Sequence, residues 1–316
     1  MTGFSPRQLF INARFAKPVS MAGRHVIVTG AAAGSIGFET ACILAGRGAH
    51  VTVTTRSAPQ ALADRLNAAL GSDGVPVEAM PLDLAQRASV DAFVADYSGR
   101  HGDRLDVLIN NAGIHLDLLS QHKTPQRSAD GIEIHWRTNY LGTMQLTLGL
   151  LPALRASARQ SGDARIVNVV SQLHRKGGNA GLFAPPAQHD SWVSYGLSKL
   201  ALVHATFELQ RRFGNEGLQA YCLHPGAVYT HIADKGLQGN PVIERLRKSL
   251  APIERYFLLT PTEGAQTSIH CASATQLRGG RYFRNCAPAA ARKDADDIDV
   301  AARLWAQTER WIAGAN

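Results

Sequence analysis

The stretch Val26-Ile27-Val28-Thr29-Gly30-Ala31-Ala32-Ala33-Gly34-Ser35-Ile36-Gly37 joins a β-branched strand to a turn with three glycines in eight residues. A helical pattern from Phe38 to Gly46 follows at once. Glycine tolerates the dihedrals of a tight turn and lets another group approach the backbone. At a helix N-terminus the free N–H groups then face a pyrophosphate. The plainer alternative is an ordinary strand-to-helix turn that uses glycine for its dihedrals alone.

Outward from this turn, strands and helices alternate. Strand candidates are His25–Val28, His50–Thr54, Val77–Met80, Leu105–Asn110, Arg165–Val170, Leu218–Leu223 and Gly280–Phe283. Helical patterns run over about 37–47, 59–70, 86–100, 130–158, 193–213, 262–274 and 293–314. Such alternation predicts a doubly wound α/β (Rossmann-type) fold: a parallel sheet of seven strands with helices on both faces. Ala287–Ala291 reads as a turn into the last helix. Residues 1–22 read as a leader packing on a single domain of residues 23–316. Long loops at about 172–192 and 227–260 follow strands, where substrates bind in such sheets. Phe183, Trp192, Tyr229, Leu237, Tyr256 and Phe257 are candidates to line an apolar pocket there.

With 316 residues, 45% of them hydrophobic and 18% charged, the chain can bury one large core. It has no apolar run of the roughly 18 residues that a spanning helix needs. Arg7, Asn12, Arg14 and Lys17 interrupt any secretory signal. Stable membrane insertion is therefore not expected. Phe4, Leu9, Phe10, Ile11 and Phe15 make a small apolar face that fits surface packing. The cysteines at 42, 222, 271 and 286 lack metal or disulfide spacing, which points to reduced thiols and a cytoplasmic setting. His174, His189 and His224 also lack ligand spacing, and no metal is expected. The net charge of +8 is scattered, with Arg211-Arg212 and Arg245-Leu246-Arg247-Lys248 the nearest to clusters. Nucleic-acid binding would need a concentrated basic stripe with aromatics. A diffuse positive surface suits an anionic cofactor.

Tyr195-Gly196-Leu197-Ser198-Lys199 places a phenol and an ammonium one turn apart on one helix face. A phenol ionises near pH 10, and a close ammonium favours the phenolate. The pair suits a tyrosine that moves a proton to or from an alcohol or carbonyl oxygen.

Further segments fall in order: Leu82-Asp83-Leu84, Asn110-Asn111-Ala112-Gly113, Asp130-Gly131-Ile132-Glu133, Thr138-Asn139-Tyr140-Leu141-Gly142, Ser171, Leu223-His224-Pro225-Gly226 and Gly280-Arg281-Tyr282-Phe283. With the glycine turn and Tyr195-x-x-x-Lys199, they make the chain resemble the short-chain dehydrogenase/reductase family over roughly residues 24 to 314. Gly37-Phe38-Glu39-Thr40-Ala41, Asp130-Gly131-Ile132-Glu133, Tyr195-Gly196-Leu197-Ser198-Lys199-Leu200-Ala201, Leu223-His224-Pro225-Gly226 and Gly280-Arg281-Tyr282-Phe283 are most similar to its retinol-dehydrogenase-like branch.

The resemblance implies a strand order of 3-2-1-4-5-6-7 and a catalytic set of Asn139, Ser171, Tyr195 and Lys199. Tyr195 would be general acid in reduction and general base in oxidation, with Ser171 holding the same oxygen. Lys199 would lower the phenol pKa and hold the cofactor ribose, and Asn139 would position a water in a relay. The cofactor-binding residues implied are Gly30, Gly34, Ser35, Ile36, Gly37, Arg56, Asp83, Leu84, Asn111, Ala112, Gly113, Tyr195, Lys199, Pro225, Gly226, Val228 and Thr230. The glycines are spaced G-x-x-x-G-x-x-G rather than the family's G-x-x-x-G-x-G, so either Ser35 stands where the middle glycine belongs or the turn carries one extra residue. Its hydroxyl could face a phosphate.

After the second strand, Thr55-Arg56-Ser57 offers no carboxylate for a ribose diol, while Arg56 can pair with a 2′-phosphate. NADP(H) is therefore expected over NAD(H). The expected activity interconverts a hydrophobic alcohol and its ketone or aldehyde. Two alternatives stay open: a specialised ketoreductase for a polycyclic or polyketide-type ketone, and a non-catalytic NADP-binding regulatory protein. The helical stretches at 130–158 and 193–213 resemble those that pair across subunits in the family, which implies a homodimer or homotetramer.

Overall fold

The structure is a computed structural model that describes residues 12–72, 74–119, 122, 124–184, 188–228 and 258–314. Its strands are β1 (His25–Val28), β2 (His50–Thr55), β3 (Glu78–Pro81), β4 (Val107–Asn110), β5 (Ala164–Val169), β6 (Leu218–His224), β7 (Arg281–Arg284) and β8 (Ala287–Ala289). Among the described residues they form one sheet in the order 3-2-1-4-5-6-7-8. The first seven are parallel, with Val26 opposite both Val51 and Val107. The order reverses between β1 and β4, which opens a crevice at the carboxyl ends of those strands.

The eighth strand corrects the sequence expectation of a turn at 287–291. It pairs antiparallel with β7. Asn285 and Cys286 between them both take positive φ, 52° and 55°. Two central residues in that conformation make a two-residue hairpin whose twist matches its strands. Residues 12–16 clasp this hairpin: the Asn285 side chain accepts from the Arg14 amide at 2.7 Å and donates to Asn12 O at 2.8 Å.

Strand residues alternate between two cores, as a period of two requires. Ile27, Leu108, Ile166, Ala220 and Cys222 face one layer. Val26, Val28, Val107, Ile109, Val167, Tyr221 and Leu223 face the other. The first layer is completed by α3 (Arg87–His101), α4 (Gly142–Ser161) and α5 (Ser191–Phe213), with α7 (Ile298–Ala313) outside α5. The second is completed by α1 (Ile36–Gly46), α2 (Pro59–Leu70) and α6 (Pro261–Ser273).

The helical pattern over 130–158 resolves into three pieces. Gly131 takes φ +78°, and Arg127 bridges to Glu133. A π-helical segment follows at Trp136–Leu141, then α4. The Glu133 carboxylate accepts the Trp136 amide at 2.8 Å and the Asp130 carboxylate pairs with Arg137 at 2.9 Å, so polar side chains stop the helix from extending backward. Single π turns inside helices often mark functional sites, and this one carries Asn139.

Candidate active site

The carboxyl ends of β1 and β4 are stitched together at the glycine turn. Thr29 Oγ1 accepts the amides of Asn111 and Ala112 at 3.0 and 2.9 Å. The Asn111 side-chain nitrogen donates to Thr29 O at 2.8 Å and Gly30 O at 3.0 Å. Asn111 thus holds the turn in shape. Gly30 sits at φ +70°, and a Cβ there would lie 2.9 Å from Ala112 Cα. A Cβ on Gly37 would lie 2.6 Å from both Gly30 O and the Asn111 side chain. Gly34 also has positive φ, +73°.

Ser35 is the N-cap of α1, its Oγ accepting the Phe38 amide at 3.2 Å. The hydroxyl that could face a phosphate is therefore engaged in capping. The first-turn amides of Ile36 and Gly37 have no carbonyl four residues back, and the helix dipole favours an anion beside them. This cradle fits a pyrophosphate.

Arg56 is exposed beyond β2, and the Thr55 hydroxyl donates to Ser57 O at 2.9 Å. The two Asp83 oxygens accept from the Ala85 amide at 2.9 Å and the Gln86 side chain at 3.1 Å, while Leu84 is buried. A Cβ on Gly142 would fall 2.1 Å from Leu84 O, so this glycine lets α4 approach the turn after β3. At the far side, Gly226 takes φ +93° after Pro225, and Val228 bridges to Leu259. Thr230, Tyr229, Leu237, Tyr256 and Phe257 lie outside the described residues.

The proton-handling side chains converge where β4, β5 and α5 meet. A Cβ on Gly196 would be 2.7 Å from Leu173 O, and one on Gly177 3.1 Å from Leu197 Cα. This close approach packs the 3₁₀ turn Gln172–Lys176 onto α5 and brings the Ser171 hydroxyl into hydrogen-bond reach of Tyr195. His174 fixes the backbone of Ser171: its Nδ1 lies 2.6 Å from Ser171 O, while its Nε2 accepts the Arg292 amide at 2.9 Å.

Lys199 is buried, donates to Val169 O at 3.1 Å and stands 5.7 Å from the Tyr195 ring centroid. Asn139 and Lys199 flank the same glycine. A Cβ on Gly113 would lie 3.3 Å from Asn139 Oδ1 and 3.1 Å from Lys199 Nζ. Asn139 Nδ2 also donates to Ser198 Oγ at 3.1 Å.

The phenol does not have the lowered pKa that the Tyr–Lys spacing suggests. Burial pushes Tyr195 up to about 12, against a downward pull from the Ser171 hydrogen bond. Burial likewise pushes Lys199 down to about 8. A low-dielectric surrounding disfavours both charged forms.

Two residues of this region, His115 and His135, carried no functional signal in the sequence. His115 stacks on the Tyr195 ring, with centroids 4.2 Å apart and planes 11° apart. His135 holds Glu133 through Nδ1 at 2.7 Å and accepts the Leu116 amide on Nε2 at 2.9 Å. Burial alone would raise the Glu133 carboxyl, but hydrogen bonds from His135 and the Trp136 and His135 amides hold it below the usual range. Of the expected pocket residues, Trp192 donates to Leu118 O at 3.1 Å, and Phe183 packs under the Arg303 guanidinium 4.0 Å away. Phe183 is therefore turned toward α7. Among the described residues, no cluster of His, Cys, Asp or Glu is arranged to hold a metal, and no helix is long and apolar enough to cross a membrane.

Residues 24–240 match the family model of the short chain dehydrogenases. The chain is 36% identical to mouse polyprenol dehydrogenase, the match covering 93% of this chain and 84% of that protein. It is 34% identical to human retinol dehydrogenase 11, covering 91% and 85%. It is 35% identical to a probable oxidoreductase of Streptomyces lividans, covering 91% and 97%. Among solved structures, an uncharacterised protein from Mycobacterium paratuberculosis superposes with a TM-score of 0.69 at 30% identity, covering 96% and 98%. The RhlG/NADP complex of Pseudomonas aeruginosa superposes with a TM-score of 0.64 at 27% identity, covering 84% and 96%. The chain belongs to the short-chain dehydrogenase/reductase family, in its retinol-dehydrogenase-like branch.

Proposed function

We propose that this oxidoreductase interconverts a hydrophobic alcohol and its ketone or aldehyde with NADP(H), using Tyr195 as general acid and base. The observation that carries this reading is the convergence of Ser171, Tyr195 and Lys199 at the carboxyl ends of β4 and β5. Relatives named for retinol and polyprenol support an apolar substrate. Residues 23–316 act as one catalytic domain, with residues 12–22 packed on it through Ala16 and Met21. The free state of all four cysteines fits a cytoplasmic setting.

The nicotinamide cofactor supplies or accepts a hydride when bound. The chain's own part is orientation and proton handling. The Gly30–Gly37 turn and α1 would hold the pyrophosphate, and Gly113 leaves the space beside Lys199 clear. Asp83 and Leu84 would border the adenine, and Val228 the carboxamide. Ser171 and Tyr195 hold the reacting oxygen between two hydroxyls. In reduction Tyr195 donates its proton to that oxygen; in oxidation it accepts the proton back. Lys199 stands 5.7 Å from the ring centroid and stabilises the phenolate that donation leaves.

Turnover of NADPH with a panel of aldehydes and ketones, and of NADP with the matching alcohols, tests the reading. Tyr195→Phe should cut turnover on the order of 10²–10⁴-fold with cofactor affinity retained. Lys199→Ala should lower both. Wild-type turnover in Tyr195→Phe, or none by the wild-type protein on any member of the panel, would reject it.

A further inference from the structure

We propose that His115 is a positioning residue for Tyr195: its imidazole is a fixed flat wall against which the phenol ring is registered. The inference rests on the proton-handling role given to Tyr195 above.

The segment that carries His115 is anchored on both sides of it. The Asn139 side chain bonds both backbone groups of Ile114, at 2.8 and 2.9 Å. His135 Nε2 accepts the Leu116 amide at 2.9 Å. That amide can only donate, so Nε2 is its acceptor, and Nδ1 is directed at Glu133. Ser191 Oγ donates to Asp117 O at 2.6 Å and Trp192 Nε1 to Leu118 O at 3.1 Å. The anchors come from the π turn and from the first turn of α5. Asp117 is held at φ +51°, a conformation that few non-glycine residues adopt.

Between these anchors His115 stacks on the phenol ring. His115 is 5% exposed, lies parallel to the Tyr195 ring and meets Trp192 edge-on, with centroids 4.8 Å apart at 85°. Its Nε2 is buried and has no hydrogen-bond partner among the described residues. The contact that the structure does show with Tyr195 is made by its flat face. The χ2 torsion of a tyrosine is broad, and the hydroxyl swings with the ring. A parallel plate on one side removes that freedom. The plate is also uncharged at neutral pH. Burial, with His135 and Lys199 nearby, pushes His115 down to about 4, and Asp117 and Asp190 oppose this weakly.

His115→Leu keeps an apolar filler but removes the plate, and His115→Phe keeps the plate but removes the nitrogens. The first measurement is the ultraviolet titration of the Tyr195 phenol, read as the difference between each protein and its Tyr195→Phe counterpart. It needs no substrate. In His115→Leu water reaches the uncovered ring, and the midpoint should fall by about one pH unit; in His115→Phe it should stay at the wild-type value. The second measurement is kcat with NADPH and all-trans-retinal. His115→Leu should lose about ten- to a hundredfold in kcat, and His115→Phe less than about threefold, with NADPH affinity unchanged in both. An unmoved midpoint and kcat in His115→Leu would overturn the proposal. So would equal losses in the two variants, or a change in KM alone, which would place His115 against substrate. If wild-type protein turns over no carbonyl, the proposed function fails while the titration still decides the role of His115.

Discussion

Asn139 clasps the peptide groups of Ile114 at both ends, its Oδ1 accepting the Ile114 amide at 2.8 Å and its Nδ2 donating to the Ile114 carbonyl at 2.9 Å. It is fully buried, and the π turn is what aims it there. Asn139→Ala would leave both groups unpaired. Each unsatisfied buried group costs about 1–3 kcal/mol. Urea unfolding should therefore show a large loss of stability, and turnover should fall with it because Asn139 and Lys199 flank Gly113. A variant within about 0.5 kcal/mol of wild type would mean that water replaces the clasp.

The fold was legible because periodicity reports burial. His25–Val28 and Pro59–Leu70 have the bounds that the pattern assigns, and the other parallel strands shift by a residue or two. The hairpin to β8 was not legible, since the cysteine of Asn285-Cys286 is not a residue that favours positive φ. The π turn was hidden because its residues keep helical spacing until Glu133 and Asp130 cap and pair across it. Residue types could mark Tyr195 and Lys199, whose chemistry needs that spacing. They could not mark His115, which reaches Tyr195 only through the fold, 80 positions away in the chain.

Arg56 stands exposed at the end of β2 with no carboxylate in Thr55-Arg56-Ser57. A 2′-phosphate that leaves water needs a cation, and a charge-assisted bond is lost when the arginine goes. Arg56→Ala should weaken NADP by very roughly ten- to a hundredfold and leave NAD nearly unchanged. Thr55→Asp with Arg56→Ala should move preference toward NAD, because a carboxylate there accepts from the ribose diol and repels the phosphate. The ratio of kcat/KM for the two cofactors decides it. A ratio unmoved by Arg56→Ala would show that the side chain faces solvent in the complex as well.

Burial pushes His115, His204 and His224 each down to about 4. Their folded values lie below the unfolded value of about 6.5, so the unfolded chain binds more protons between the two. The stability they support is complete above about pH 6.5 and is lost as pH falls toward about 4. Each proton contributes a slope of at most about 1.4 kcal/mol per pH unit, so the three together approach about 4 kcal/mol per unit. Urea midpoints across this range should fall steeply, well before most carboxylates titrate. A flat profile would mean that these imidazoles gain water or partners on protonation.

Pairing of subunits through the 193–213 stretch meets an obstacle in α7. Between Ser194 and Leu209 of α5 every residue is buried except Tyr195 and Phe207, which are half-buried. α7 packs along α5 and inserts Leu304 and Trp305 into the core. The Arg212 guanidinium lies 4.7 Å over the Trp305 ring, and Thr308 Oγ1 meets Tyr140 Oη at 2.6 Å. Trp311 meets Trp136 edge-on at 5.9 Å, and Arg87 donates to Trp311 O at 2.7 Å. A dimer built on α5 would have to remove all of these contacts. Losing a buried tryptophan such as Trp305 alone costs about 3–5 kcal/mol. Light scattering at micromolar concentration should therefore give the 34.0 kDa of one chain, or an oligomer joined elsewhere. Hydrogen exchange separates these outcomes from the alternative. α5 amides whose protection rises with protein concentration, while α7 amides lose theirs, would show that α7 gives way to a second subunit.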